Sequence, residues 1–229
     1  MILGKQNKLL CLFIFSLALR LIWIFITGSH AHPQIWEYEV LANNLLDGRG
    51  FVCTHLGTVY KSFASPLYPF LCAFVYLITN HSYTILLIAQ ACISSLVCVL
   101  IYKAANDIFD HYTAILASVL VSMHPGLIVY TAKLHPLILD AFLIILVAFL
   151  FLRIKMNLSL KYAMSVGVAS GFCILTRSTI VMFLPFGLLW LFFAYSHNKR
   201  KICYYIVLII LCINSFILFI SNFKLTFEK

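Results

Sequence analysis

The chain has 229 residues, of which 63% are hydrophobic and only 10% charged, and its mean hydropathy is +1.03. That composition lies far outside the roughly one-quarter charged average of soluble domains and indicates a polytopic membrane protein. The net charge of +9 is spread between apolar runs and forms no continuous basic face, so it fits control of membrane topology and excludes a nucleic-acid-binding role.

In chain order, apolar runs recur at Leu9–Thr27, Pro66–Thr79, Thr84–Lys103, Thr113–Thr131, Pro136–Leu152, Tyr162–Thr176, Thr179–Tyr195 and Cys203–Ser221. A spanning helix needs about 20 residues, and Pro66–Thr79 falls short of that. Backbone groups in lipid must pair within their own segment, and no run alternates with period 2, so the spans are expected to be helices. The expected fold is an all-α bundle of about seven spanning helices, with two juxtamembrane helices in a first loop over residues 29–80. Residues 1–229 form one transmembrane domain on this reading. Lys5 and Lys8 precede the first run, which lacks a small-residue cleavage site and is longer than a signal-peptide core, so the first helix is expected to be retained. Most of the eight cysteines lie within the runs and read as small apolar core residues, with Cys53 the loop exception.

Placing Pro66–Thr79 at the interface puts Lys5, Lys8, Lys103, Arg153, Lys155, Lys161, Lys199, Arg200 and Lys201 on one side, which is cytoplasmic by the positive-inside rule. The N-terminus is then cytoplasmic. The 30–65 loop, the turn around Lys133 and His135, and the Arg177-Ser178 connection meet on the outer face.

Three of the seven acidic residues, Glu37, Glu39 and Asp47, sit in the first outer loop. Tyr38, Leu41, Ala42, Leu45 and Leu46 make an i, i+3, i+4, i+7, i+8 stripe, which predicts an amphipathic helix ended at Gly48, with Gly50 allowing a further turn. Ser65-Pro66 is expected to open a second short helix. Glu37 and Glu39 occupy the first turn of the amphipathic helix, where the helix dipole favours a carboxylate. A carboxylate held there can also act as general base for an acceptor hydroxyl or help orient a divalent cation. Asp140, in the first turn after Pro136, is the expected partner carboxylate; the alternative is a helix-end carboxylate paired with Lys133. Arg177 interrupts two apolar helices and suits phosphate oxygens, or else snorkels at the interface. Arg20, deep in the first span, requires a partner or cavity that the sequence does not name. His32, His55 and His135 show no metal-ligand spacing, and Gly48-Arg49-Gly50 lacks the strand-to-helix context of a phosphate loop.

Taken together, Arg20 in the first helix, the string Glu37 to Phe51, Ser65-Pro66-Leu67-Tyr68-Pro69, His124-Pro125-Gly126-Leu127-Ile128-Val129-Tyr130 and Leu175-Thr176-Arg177-Ser178 resemble the N-terminal half of a C-type membrane glycosyltransferase. This superfamily includes protein O-mannosyltransferases and bacterial aminoarabinose or lipopolysaccharide sugar transferases. The resemblance implies transfer of a sugar from a polyprenyl-phosphate donor to a hydroxyl on a lipid, glycan or protein acceptor, at the outer face of a membrane such as the bacterial inner membrane. By this resemblance Tyr38 lines the donor or acceptor cavity, Asp140 matches a second acidic position and Arg177 a recurrent basic one. Together with the reading of the residues, Glu37 and Asp140 are the expected catalytic carboxylates and Tyr38, Arg49, Lys133, His135 and Arg177 the expected substrate-binding residues. No metal ligand is assigned, and a divalent cation is the one cofactor this reading leaves open. Two departures bear on activity. Gln34 stands where the family usually has an aspartate, four residues before the tyrosine matched by Tyr38, and such enzymes usually continue with more spans. A truncated, non-catalytic remnant or partner subunit is therefore the alternative expectation. A small transporter component is the third; sugar transfer by the chain separates the first from both, and solute flux would favour the third.

Overall fold

The computed structural model describes residues 5–55, 58–61, 64–177, 179–194 and 199–228. Ser178 and the side chains of His55 and Lys5 lie outside the described part. Ten helices fill it: α1 (Lys5–Ile26), α2 (Glu37–Leu46), α3 (Leu67–Thr79), α4 (Tyr83–Ile108), α5 (His111–Ser122), α6 (Pro125–Thr131), α7 (Leu137–Met156), α8 (Leu160–Thr176), α9 (Ile180–Ala194) and α10 (Lys199–Glu228). The all-α expectation holds. One small element was not anticipated: β1 (Val52–His55) and β2 (Thr58–Lys61) form an antiparallel hairpin with Val52 opposite Lys61 and His55 opposite Thr58.

Four helices are long and apolar enough to cross a membrane, α1, α4, α7 and α10, and the bent pair α5–α6 makes up to five. The run Thr113–Thr131 thus resolves into two helices inclined by 47°. Pro125 cannot continue the hydrogen-bond ladder of α5 but suits the first turn of α6, whose N-terminus is capped by the His124 ring accepting from Leu127 N–H. The runs beginning at Tyr162 and Thr179 give α8 and α9 of 17 and 15 residues, shorter than a full span. With this many apolar helices the chain is a multi-pass membrane protein.

The amphipathic stripe folds as expected. Leu41 and Ala42 are fully buried, and α2 ends in a Schellman motif, with Gly48 N–H donating to Leu45 O and Arg49 N–H to Asn44 O. Gly48 adopts φ +72°, the left-handed conformation this motif requires. Helix α3 lies alongside α2: Tyr38 meets Tyr68 at its start, while Glu39 reaches Tyr76 and His81 at its end. Both ends of α3 therefore sit at the same end of the bundle as α2.

Two interiors differ. The first half is sewn by polar groups around fully buried Arg20, whose Nε donates to Ser94 Oγ at 2.6 Å and whose Nη1 donates to the carbonyl of Ser16 at 2.9 Å and that of Ser122 at 3.3 Å. The second half has an apolar core drawn from α7 to α10, including Val147, Ile154, Val166, Leu191 and Ile209. There α8 presents Gly167 and Gly171, one turn apart, to α10. A Cβ at Gly167 would stand 2.5 Å from Cys212 Cβ, and one at Gly171 would enter the Phe216 ring. This small-xxx-small spacing lets two helices approach closely where lipid supplies no hydrophobic drive.

At the end of the bundle away from α2, Arg153 pairs with Asp107 at 3.1 Å, and Lys8 Nζ donates to His111 Nε2 at 3.0 Å. Lys155 rests over the Trp190 ring at that end too.

Candidate active site

Three connections that are far apart in sequence meet at the opposite end. The 133–136 turn is positioned from below by Gln90 of α4, whose Oε1 accepts from Tyr68 Oη at 2.8 Å and whose Nε2 donates to the carbonyls of Lys133 at 3.0 Å and Thr131 at 3.3 Å. From above, Leu134 N–H donates to Gln34 O, and Gln34 and Lys133 form an isolated parallel bridge. A buried amide that satisfies two carbonyls and a phenol at once fixes this turn with little freedom.

His135 projects from that turn into a ring of aromatics. Trp36, Tyr38 and Tyr130 pack around it with centroids at 5.4, 5.8 and 5.3 Å, all edge-on. Its Nδ1 accepts from Leu137 N–H at 3.2 Å, which leaves Nε2 as the protonated nitrogen of the neutral ring. Burial lowers the pKa of His135 below the ordinary imidazole value. The Arg177 and Lys133 charges push the same way, and Glu37 opposes them. Tyr38 is shifted upward by burial and by Glu37, against a smaller pull from Arg177, so its phenol stays a donor. Cys53 of β1 is buried and also feels Glu37, and both effects raise its thiol pKa.

The electrostatic couplings map the neighbourhood. Glu37 acts on Tyr38, His135 and Cys53, while Arg177 acts on Tyr38, His135 and Asp140. Lys133 also acts on His135, so six of the seven residues singled out from the sequence share one locality: Glu37, Tyr38, Lys133, His135, Asp140 and Arg177. Asp140 is 9% exposed, and its Oδ1 is buried without a hydrogen-bond partner. An unsatisfied carboxylate oxygen in such a place is an acceptor poised for a proton donor. Lys133 does not pair with Asp140; its ammonium lies 5.2 Å from the centre of the Tyr130 ring, at the edge of the same locality. Arg49 is not brought in: it pairs with Asp47 at 3.1 Å on the exposed end of α2.

Glu39 turns the other way. Its buried carboxylate pairs with His81 Nε2 at 3.3 Å beneath the Tyr76 ring, which lies 4.0 Å from the imidazole. Trp36 and Tyr130 were not singled out as site residues from the sequence; the one signal was the string ending in Tyr130. Among the described residues no three His, Cys, Asp or Glu side chains gather as a metal-binding group.

An apolar cleft of about 290 Å³ opens between α7 and α9, lined by Val147, Phe151, Thr179, Ile180, Leu184 and Gly187 among others. Thr179, two residues past Arg177, lies along its wall.

The sequence model of the dolichyl-phosphate-mannose-protein mannosyltransferase family matches residues 64–219, about two thirds of the chain. No curated protein matches it. The matched segment runs from the start of α3 into α10 and includes His135, Asp140 and Arg177, while Glu37 and Tyr38 precede it. The chain belongs to the dolichyl-phosphate-mannose-protein mannosyltransferase family of membrane glycosyltransferases.

Proposed function

We propose that the protein transfers a sugar from a polyprenyl-phosphate donor to an acceptor hydroxyl at the outer face of the membrane. The observation that carries this reading is that Asp140, whose Oδ1 has no hydrogen-bond partner, lies within the electrostatic reach of Arg177. The cleft between α7 and α9 is apolar enough for an isoprenoid tail, and Arg177 stands near its Thr179 wall, where the tail's phosphate would sit.

In the step we assign, the acceptor oxygen bonds to the anomeric carbon as that carbon's bond to the phosphate oxygen breaks. The hydroxyl proton passes to Asp140, with Glu37 the other carboxylate able to accept it, and the electron pair leaves on the polyprenyl phosphate. Arg177 faces the charge that grows on the leaving phosphate, the kind of charge development that a fixed guanidinium stabilises. Neutral His135 offers its Nε2–H, and Tyr38 its phenolic hydrogen, to sugar or acceptor oxygens. Lys133, over the Tyr130 ring, would contact substrate at its periphery.

The reading includes seven crossings, by α1, α4, the bent α5–α6 pair, α7, α8, α9 and α10, within one transmembrane unit. Helices α8 and α9, of 17 and 15 residues, reach about 26 and 23 Å, so the bilayer would thin beside them. The basic end with Lys8, Arg153 and Lys155 would be cytoplasmic.

The test is sugar transfer by the purified 229-residue chain in lipid nanodiscs, supplied with polyprenyl-phosphate hexoses. Transfer that disappears in Asp140→Asn and Arg177→Ala supports the reading; transfer unchanged in both removes this locality from the chemistry. One observation favours a second reading, a non-catalytic partner subunit. Gln34, at the family's aspartate position, is tied by its backbone to the Lys133 turn, and an amide cannot act as a base. Complete absence of transfer, with donor binding retained, would support that reading.

A further inference from the structure

A second cavity, of about 270 Å³, opens at the Gln34–Lys133 bridge, between the end of α1 and α6. Its walls carry Trp23, Thr27, Ser29, His32, Gln34 and Lys133, and no carboxylate lines it. Among the described residues no Asp or Glu oxygen lies within 4.0 Å of Lys133, whose ammonium meets only the face of Tyr130.

The lining residues carry several donors and a single full charge, which is positive. Lys133 offers an ammonium, His32 a ring N–H, Gln34 an amide and Trp23 an indole N–H. The Thr27 hydroxyl donates to Trp23 O at 2.8 Å, so the Ser29 hydroxyl 2.8 Å away can place its proton on Thr27 or turn it toward a ligand. A cation, an imidazole, an amide and hydroxyls among lining residues that include no acid suit an anion with several oxygens. Trp23 lies in the last turn of an apolar helix, the depth at which indoles settle at the headgroup level of a bilayer. The volume accommodates a phosphate with a few carbons attached.

We propose that this cavity is a phosphate-binding site distinct from the locality of Arg177, held by Lys133 and His32 and floored by Trp23. Its ligand chemistry is a phosphate ester anion, delivered either by a lipid headgroup or in free form. Lys133 and His135 both pack on the Tyr130 ring, so occupancy here bears on the wall of the candidate active site. The proposal does not depend on sugar transfer.

The test follows Trp23 fluorescence of the full chain, using Trp23→Phe to locate the signal. Inorganic phosphate is titrated into detergent-solubilised protein, and nanodiscs of phosphatidylglycerol are compared with nanodiscs of phosphatidylcholine. We expect a saturable change, weakened about tenfold or more in Lys133→Gln because a hydrogen bond to a charged group is lost. A response to phosphate alone assigns a free phosphate ester; a response to phosphatidylglycerol assigns a headgroup. His32→Gln, on an exposed loop position, should weaken the same response and carries the test if Lys133→Gln fails to fold. No change with either probe, or an undiminished change in a folded Lys133→Gln or His32→Gln protein, overturns the proposal.

Discussion

Between α1 and α4 the helices are joined by a buried arginine, hydroxyls and a thiol, whereas between α8 and α10 they are joined by two missing side chains. Arg20 in the first region satisfies itself on Ser16, Ser94 and Ser122 without any carboxylate among the contacts described. Gly167 and Gly171 in the second let Cys212 and Phe216 of α10 come within a distance no Cβ would allow. A membrane gives helices no hydrophobic reason to prefer each other over lipid, so contact has to come from polar satisfaction or from close van der Waals approach. The chain uses one in each half. The candidate site lies at their junction, with Glu37 and Tyr38 from the polar half and Asp140 and Arg177 from the apolar half. Each half can therefore be damaged separately and the site watched.

The largest effect should come from the junction itself. Arg177→Ala is expected to lower sugar transfer by about 10²- to 10³-fold, the scale for losing one preorganised charge-stabilising group, with helix content and insertion unchanged. Steady-state kinetics with a polyprenyl-phosphate sugar measures it, and wild-type turnover would sink the assignment. Next is the polar half. Arg20→Ala should cost about 2–4 kcal/mol in thermal unfolding, by opening a cavity and leaving buried Ser94 and Ser122 groups without a partner. Arg20→Lys should recover only part, since an ammonium cannot span α1, α4 and the α5 end as a guanidinium fork does. In the apolar half, Gly171→Leu should destabilise by about 1–3 kcal/mol through overpacking against Phe216, with Gly171→Ala intermediate. If Arg20→Ala and Gly171→Leu lower transfer only in proportion to unfolded protein, the halves serve as scaffolds alone.

The smallest effect concerns pH. His135 is held neutral by burial and the nearby cations, so its folded pKa lies below the unfolded value near 6.5. Above that value both states are neutral and nothing changes. As pH falls below it the unfolded chain takes up the proton first, so stability declines with falling pH until the folded pKa is passed. Unfolding midpoints in detergent at several pH values from 7 to 5 should show this slope, and His135→Gln should flatten it.

Much of this arrangement was legible from residue spacing. The stripe from Tyr38 to Leu46 gave α2 and its glycine stop because a single buried face leaves a periodic trace. Glu37 and Glu39 looked alike, both in a first turn favoured by the dipole. Two positions at about 100° per residue nonetheless point to opposite sides, which sends one to His135 and the other to His81. The run Thr113–Thr131 read as one span because hydropathy is blind to a bend at Pro125. The hairpin 52–61 escaped because two strands of four residues leave too few alternations to register. Asp140 and Arg177 could be singled out because an acid and a guanidinium at the ends of apolar runs need a reason, yet nothing local predicted that Lys133 would prefer the Tyr130 ring to the Asp140 carboxylate.

The guanidinium of α1 also sets a schedule. Its acceptors Ser94 and Ser122 follow it in the chain by 74 and 102 residues. During synthesis the first helix must therefore wait, with a cation short of partners, until α4 and then the end of α5 have emerged. A charge left in hydrocarbon is costly, so the translocon or an insertion chaperone would have to shelter α1 until they arrive. An α1 that lost its later helices would display that unmet charge, a mark by which a membrane protease could tell an unfinished copy from a finished one.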